Sequence, residues 1–187
     1  YETALKAVTF SSTNSNPDTT TRTVTVKVND GTSDSATATT SITFSAVDNA
    51  PSVDLDANNS STATGNNYLT SYTEGGAAAA IADTDVAITD PDSANMVSAT
   101  IVLTNAKTGD VLSVGTLPAG ISSSVDTSVS GQITVTLTGS ATKANYETAL
   151  KAVTFSSTNS NPDTTTRTVT VKVNDGTSDS ATATTSI

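Results

Sequence analysis

The stretch that decides the fold class is Thr23-Val24-Thr25-Val26-Lys27-Val28, in which valine occupies every second position. Strict alternation of apolar and polar residues is typical of a β-strand that packs one face against a core and turns the other to water. The same six residues return at 168–173. The sequence therefore predicts a half-buried strand that the chain uses at least twice.

This recurrence extends far beyond six residues. Residues 1–42 and 146–187 are identical at all 42 positions, with an offset of 146 − 1 = 145. Self-similarity at a fixed period is the signature of a repeat architecture. The sequence therefore predicts a tandem array with a 145-residue period. In this interpretation residues 1–48 are the carboxyl-side part of one repeat, and residues 49–187 are the next repeat, nearly complete with a truncated final strand.

Other apolar patterns predict the remaining strands. Alternation continues at 36–46, 97–103 and 133–137, and shorter apolar runs lie at 53–55, 68–72, 86–88, 111–114 and 153–155. Turn signals such as Asn29-Asp30-Gly31 separate these runs. Only Thr142–Leu150 departs from the pattern, because Tyr146 and Leu150 are four residues apart as on one helix face. We therefore expect an all-β, two-sheet sandwich with one short helical crossover.

Composition excludes several classes of function. The chain has 18 acidic and 8 basic residues and a net charge of −10, which disfavours nucleic acid and anionic membranes as partners but favours a polyvalent cation. No apolar run approaches the roughly 18 residues of a membrane span, so we expect no direct membrane insertion. It has no cysteine and no histidine, so it has no disulfide and lacks the most common general base and zinc ligand. Aromatic residues, which usually line sugar sites, make up only 4%. We therefore predict that the chain is not an enzyme.

Acidic residues are concentrated in three groups that predict a calcium site. Packing carboxylates together costs electrostatic energy unless a cation joins them, and Ca²⁺ takes oxygen ligands. The first group resembles the opening of an EF-hand loop without its later glycine and glutamate. The alternative is that all three groups are ordinary solvated loop acids. The candidate ligands are Asp54, Asp56 and Asn58, followed by Ser60; then Asp83, Asp85, Asp90 and Asp92; and finally Asp48 and Asn49.

The order of motifs in one period resembles the cadherin-like, immunoglobulin-fold repeats of giant bacterial surface adhesins and biofilm proteins. Four motifs carry the resemblance, namely Tyr72-Thr73-Glu74-Gly75-Gly76, Asp90-Pro91-Asp92-Ser93, Asn174-Asp175-Gly176 and the linker Asp48-Asn49-Ala50-Pro51. The resemblance implies an immunoglobulin-like sandwich, calcium as cofactor and an extracellular location on a bacterial surface. It also implies that Glu74, on the first strand of such repeats, is a metal ligand.

Three functions are compatible with these features. The first is a calcium-stabilised extender, in which stiff modules hold a binding domain away from the cell and neighbouring repeats of the same chain are its partners. The second is an adhesion module that binds a glycan or a protein, and the third is a surface-layer or sheath subunit. Identical repeats favour the extender, because spacing tolerates identity whereas recognition benefits from diversity among modules.

One further expectation concerns residues 1–42. Both identical segments are competent to complete the single portion 50–145, and the downstream one follows it directly in the chain. Residues 1–42 should then have unpaired strand edges, which invite strand exchange with a second molecule. We expect this segment to be either mobile or completed by a neighbouring chain.

Overall fold

The computed structural model describes residues 1–187 and divides into two compact units, Tyr1–Asp48 and Asn49–Ile187. The first unit contains a short helix α1 (Glu2–Lys6), which buries none of its residues, and strands β1 (Arg22–Val26) and β2 (Ala38–Ile42). The two strands pair as an antiparallel hairpin. No helix in either unit combines the length and apolar character needed to cross a membrane.

The second unit is built almost entirely from strands, as the sequence predicts. Its elements are β3 (Ser52–Asp54), β4 (Tyr68–Leu69), β5 (Ala79–Ala80), β6 (Ala87–Thr89), β7 (Asn95–Leu103), β8 (Asp110–Val114), β9 (Ser122–Asp126), β10 (Ile133–Thr142), α2 (Lys143–Lys151), β11 (Val153–Ser157), β12 (Thr168–Asn174) and β13 (Ala183–Ser186). A six-stranded sheet has the order β4-β13-β12-β7-β10-β9, a three-stranded sheet the order β5-β11-β8, and β3 pairs with β6. Every pairing is antiparallel except β13 with β4. The all-β prediction is confirmed.

One apolar cluster forms the core of the second unit. The alternating residues of the six-stranded sheet supply one side of it, including Ile101, Leu137, Val169 and Val171. The three-stranded sheet and α2 supply further residues, including Leu112, Val153, Phe155, Tyr146 and Leu150. Small and β-branched side chains dominate, because the composition offers few aromatic rings. Most of the inward faces predicted from alternation are therefore core faces, but at the start of β7, where the register with β10 shifts, Met96 is buried and the predicted Val97 is only half-buried.

The helix α2 lies where the sequence predicts a crossover. Thr142 is its N-cap and accepts a hydrogen bond from the backbone nitrogen of Asn145 at 3.3 Å. Tyr146 is fully buried, its hydroxyl donates to the carbonyl oxygen of Gly139 at 2.7 Å, and burial raises its pKa to about 12. Gly139 has a φ of 127° at a bulge in β10, and a Cβ there would lie 1.9 Å from the carbonyl oxygen of Gly120. Only glycine fits at position 139, where the two backbone segments approach this closely.

The two identical segments adopt the same hairpin in different surroundings. In β1–β2, Thr23 lies opposite Ser41 and Val26 opposite Ala38. The counterparts 145 residues later have the same register in β12–β13. Burial differs, because Tyr1 is 95% exposed whereas Tyr146 is 0% exposed, and Val8 is 72% exposed whereas Val153 is 0% exposed. The local sequence is therefore sufficient to form the hairpin. The apolar side chains of 146–187 are buried because residues 49–145 pack against them.

A buried ion pair joins β8 to the start of β12. The guanidinium of Arg167 contacts both carboxylate oxygens of Asp110, with Nε to Oδ2 at 2.5 Å and Nη2 to Oδ1 at 3.3 Å. Both side chains are almost completely buried. Arg167 also donates to the carbonyl oxygens of Asp163 and Thr165, so each of its nitrogens has an acceptor. Bidentate pairing of this kind is what makes burial of two opposite charges tolerable.

Asp163 is expected to contribute to acid sensitivity. Hydrogen bonds from the Thr165 hydroxyl and backbone, with the charges of Lys107 and Arg167, lower the pKa of Asp163 to about 2. The unfolded chain has an ordinary aspartate pKa of about 3.9, so the lowered pKa stabilises the fold at pH values above 3.9. This stabilisation is lost as the pH falls towards 2. We therefore expect Asp163→Asn to lower the melting temperature at pH 7 but to have progressively less effect between pH 4 and pH 2.

Thermal unfolding followed by circular dichroism across this pH range measures the difference. Asp18→Asn is the matched control, because Asp18 occupies the same local sequence in the first unit, where no counterpart of Lys107 contributes to its lowered pKa. A constant difference between wild type and Asp163→Asn at every pH would contradict the prediction.

The structure differs from the sequence-based expectations at several elements. The strand expected at 68–72 is only Tyr68–Leu69, and the one expected at 36–46 is only Ala38–Ile42. Strands β5 and β9 and helix α1 are not predicted. The five residues of β9 are all exposed, so no alternation marks them, and their pairing with β10 alone keeps them extended.

Candidate metal centre

Pairing of β3 with β6 brings two acidic loops together. Asp54 lies opposite Ala87, so the loop after β3, which contains Asp56, meets the loop before β6, which contains Asp83 and Asp85. The backbone nitrogen of Asp83 donates to the carbonyl oxygen of Leu55 at 2.8 Å and fixes one loop to the other. The fold therefore brings together three carboxylates from two loops that are almost thirty residues apart in sequence.

These three residues form the aspartate triad Asp56, Asp83 and Asp85. One carboxylate oxygen from each lies within 4.8 Å of the others. Asp56 is fully buried, and Asp83 and Asp85 are half-buried. Three like charges at such distances repel one another unless donors or a cation compensate them.

Serine and backbone donors supply part of that compensation. Oδ1 of Asp56 accepts from the backbone nitrogen and hydroxyl of Ser60, and Oδ2 accepts from the same two groups of Ser61. These donors, the Ser61 hydroxyl first among them, lower the pKa of Asp56. The Ser60 hydroxyl also lies 2.9 Å from Oδ2 of Asp83. Both hydroxyl oxygens are therefore close to the carboxylates of the triad.

Asp85 is the least satisfied member of the triad. Its Oδ2 accepts from the backbone nitrogen of Asn58 at 2.8 Å, but its Oδ1 is buried and has no hydrogen-bond partner. A buried charged oxygen without a donor is costly. The loop around the triad also has two non-glycine residues with positive φ, Asn59 at 55° and Thr62 at 68°. Thr62 is β-branched, so this conformation is strained.

The donor set of the triad fits a hard divalent cation. Calcium takes six to eight oxygen ligands at about 2.3–2.6 Å from carboxylates, carbonyls, hydroxyls and water. The three carboxylates could bind directly, and the hydroxyls of Ser60 and Ser61, which now donate to the carboxylates, could rotate to present lone pairs instead. A divalent cation here would offset two of the three negative charges of the triad.

A second acidic pair, Asp90 and Asp92, lies at the other end of β6. The backbone and side-chain nitrogens of Asn49 both donate to Oδ2 of Asp92 at 2.9 Å, and Oδ1 of Asp90 accepts from the backbone nitrogens of Asp92 and Ser93. The remaining oxygens, Asp90 Oδ2 and Asp92 Oδ1, are buried and have no donor. Apart from the interaction between the two carboxyl groups themselves, these oxygens therefore lack a donor.

Burial and charge move the pKa values of this pair apart. Burial, with the adjacent charge of Asp92, raises the pKa of Asp90, whereas the Asn49 side chain lowers the pKa of Asp92. The ammonium group of Lys143 donates to the carbonyl oxygens of Asp90 and Ser93 at 2.9 Å each. A positive charge thus already lies next to the pair, which makes it a poorer cation site than the aspartate triad.

The structure corrects how the predicted ligands are grouped. Asp83, Asp85, Asp90 and Asp92 were expected to form one group, but β6 places the first two and the last two at opposite ends of a strand. The aspartate triad instead combines Asp83 and Asp85 with Asp56 from the first predicted group. Oδ1 of Asp54 accepts from the backbone nitrogen of Asp56, and Asn58 contacts Asp85 through its backbone.

The two remaining predicted ligands lie elsewhere. Glu74 is exposed in a turn and lines a surface cavity of about 460 Å³ with Tyr72, Phe155 and Arg167, outside the triad. Asp48 is exposed at the end of the first unit, and its neighbour Asn49 donates hydrogen bonds to Asp92. Sequence analysis missed Ser61 and Lys143, because nothing in their local sequence marks them as neighbours of a carboxylate.

Comparisons of the chain with protein-family models, with curated proteins and with solved structures find no match.

Proposed function

We propose that the chain is part of a tandem array of calcium-stabilised, immunoglobulin-like β-sandwich modules that serves as an extender in a bacterial cell-surface adhesin. The observation that carries this proposal is the identity of residues 1–42 and 146–187. A module that serves only as a spacer can be duplicated without sequence change, and an array of such modules becomes longer with each copy.

The path of the chain through the second unit supports this proposal. Asn49 binds Asp92, just before β7 begins at Asn95. At the far end of β7, Leu103 lies opposite Val169, and Arg167 exchanges backbone hydrogen bonds with Ile187. Eight residue steps of β7 span about 27 Å at the usual strand rise. The chain therefore enters and leaves this unit at opposite ends, which supports linear extension.

The aspartate triad supports calcium as the stabilising ion. It combines carboxylates from two loops that are distant in sequence, so a cation bound there would cross-link those loops. Ions that bind only the folded state stabilise it by RT ln(1 + [L]/Kd). Extracellular calcium modules have Kd values on the order of 10⁻⁴–10⁻³ M, so calcium at ten times Kd contributes about 1.4 kcal/mol per site.

We expect calcium to raise the melting temperature and Asp85→Asn to abolish that rise. The amide removes one negative charge from the triad without a large change of shape, so the variant should fold at least as well without calcium. Thermal unfolding in calcium and in chelator, at constant ionic strength, measures the effect. Glu74→Gln is the matched control, because Glu74 lies outside the triad. Equal calcium responses of wild type and Asp85→Asn would contradict this assignment.

The extender function itself is tested by length. Chains carrying two, three and four 145-residue periods should have a maximum dimension, measured by small-angle X-ray scattering, that increases by a constant amount with each period. Growth of extended sheets would instead favour a surface-layer subunit, and a compact particle whose length stays constant would exclude an extender.

A further inference from the structure

Strand β6, which follows the loop of Asp83 and Asp85, has a neighbouring strand on one side only. It pairs with β3, and these two strands form a sheet of their own. The backbone nitrogen of Ile88 in β6 donates instead to Oε1 of Glu147 on α2, at 2.9 Å. A partly buried backbone N–H group requires an acceptor. The carboxylate of Glu147 therefore supplies the acceptor that a further strand would otherwise provide.

Two lysines of α2 contact the backbone on either side of Ile88. Lys143, Glu147 and Lys151 are four residues apart, so they lie along one stripe of the helix. Nζ of Lys151 donates to the carbonyl oxygen of Thr84 at 3.4 Å, within the loop before β6. Nζ of Lys143 donates to two carbonyl oxygens in the loop after β6. The helix α2 therefore contacts the chain before, within and after this strand.

The identical helix α1 shows that these charged residues have another possible partner. Glu2 and Lys6, the counterparts of Glu147 and Lys151, form an ion pair with each other at 2.8 Å. In α2 the two side chains contact the backbone of segment 84–88 instead. An exposed ion pair contributes little to stability, so the helix loses little by giving it up. The fold of the second unit therefore directs Glu147 towards β6 and not along its own helix.

We propose that Glu147 is a positioning residue of the aspartate triad. Its bond to Ile88 fixes β6 to α2, and β6 begins two residues after Asp85. The bond therefore restricts how far the loop of Asp83 and Asp85 can move away from Asp56. Glu147 is not a member of the triad and acts through β6. This inference rests on the proposed function, because it takes calcium as the ion that the triad binds.

The triad needs such an anchor because its own charges oppose the arrangement. Carboxylates within 4.8 Å of one another repel when no cation is bound. Strands β3 and β6 have three residues each, so their pairing supplies few hydrogen bonds to resist that repulsion. Calcium binds oxygen at about 2.3–2.6 Å, so a carboxylate that moves away with its loop is lost as a ligand. Groups that orient the ligands of a metal are typically worth about 10- to 100-fold in affinity.

Replacing Glu147 with alanine and with glutamine tests the hydrogen bond separately from the charge. Both variants lose the negative charge, but only glutamine keeps an oxygen that can accept from Ile88. We expect Glu147→Ala to weaken calcium binding by about tenfold or more and Glu147→Gln to bind calcium almost as tightly as wild type. Isothermal titration of the full chain with calcium chloride measures the affinity, at a temperature where circular dichroism shows each variant to be folded. Equal affinities of the two variants would overturn the proposal.

Val135→Ala distinguishes positioning from a general loss of stability. Val135 is fully buried in β10, so its truncation should lower the melting temperature without weakening calcium binding by the folded protein. If Val135→Ala loses as much affinity as Glu147→Ala, Glu147 acts only through stability and the proposal is wrong. If wild type and Glu147→Ala bind calcium equally, the proposal is wrong but the calcium site stands. If wild type binds no calcium, both are wrong.

Amide hydrogen exchange at Ile88 follows the same bond without calcium. In chelator, this amide should exchange faster in Glu147→Ala than in Glu147→Gln, because alanine leaves the N–H group without its acceptor. Nuclear magnetic resonance of the two variants measures both rates. Equal exchange rates at Ile88 would show that Glu147 does not hold β6, and would overturn the proposal whatever the calcium affinities.

Discussion

Replacing Arg167 with alanine is expected to lower the free energy of unfolding of the second unit by about 3–5 kcal/mol, because it leaves the buried carboxylate of Asp110 without its partner. Both side chains of this pair are almost fully buried, and without the guanidinium the Asp110 carboxylate keeps only the backbone N–H of Lys107 as a protein donor, at 2.8 Å. A loss of this size is a large share of the 5–15 kcal/mol typical of a domain.

Arg22→Ala is the matched control for this prediction. Arg22 has the same neighbours in sequence and the same bonds to two backbone carbonyls, but it is a third exposed and makes no contact comparable to Asp110. Urea unfolding followed by circular dichroism should show a large shift for Arg167→Ala and almost none for Arg22→Ala. Similar shifts for the two variants would mean that the backbone contacts, and not the buried ion pair, carry the energy.

Leu150→Ala should destabilise the second unit by about 2–5 kcal/mol, the usual range for leucine truncation in a packed core. Leu150 is fully buried on α2, whereas Leu5, its counterpart on α1, is 44% exposed. Leu5→Ala changes helix propensity in the same way and removes the same atoms, so the difference between the two variants isolates core burial. Equal effects on the urea midpoint would contradict the core assignment.

The sequence predicts secondary structure best where the spacing of apolar residues is regular over a short segment. The strand around Val169 and the helix around Tyr146 are found close to the predicted positions, because their apolar spacing matches the period of the structure that forms. Strand β9 is missed because Ser122–Asp126 has no buried face and is held only by its partner strand. Identity with 146–187 could have predicted helix α1, but residues 1–42 show that identical sequence does not guarantee identical burial.

The candidate metal centre is only partly predictable for a similar reason. Sequence analysis finds every member of the aspartate triad as a candidate, since closely spaced acids are visible in the chain. It assigns them to the wrong groups, because proximity in sequence placed Asp85 with Asp90 whereas strand pairing places Asp85 with Asp56. The ion pair of Arg167 and Asp110 gives no signal at all, since 57 residues separate the partners.

The entry and exit of the chain at opposite ends of the second unit determine how it would respond to pulling. A force applied between Asn49 and Ile187 acts along β13, whose hydrogen bonds to β12 and β4 run across the strand. Such a load shears several hydrogen bonds at once, whereas a load at one end of a hairpin opens them in sequence. The unit is thus oriented to resist tension along its length, and peeling from the side is its weaker direction.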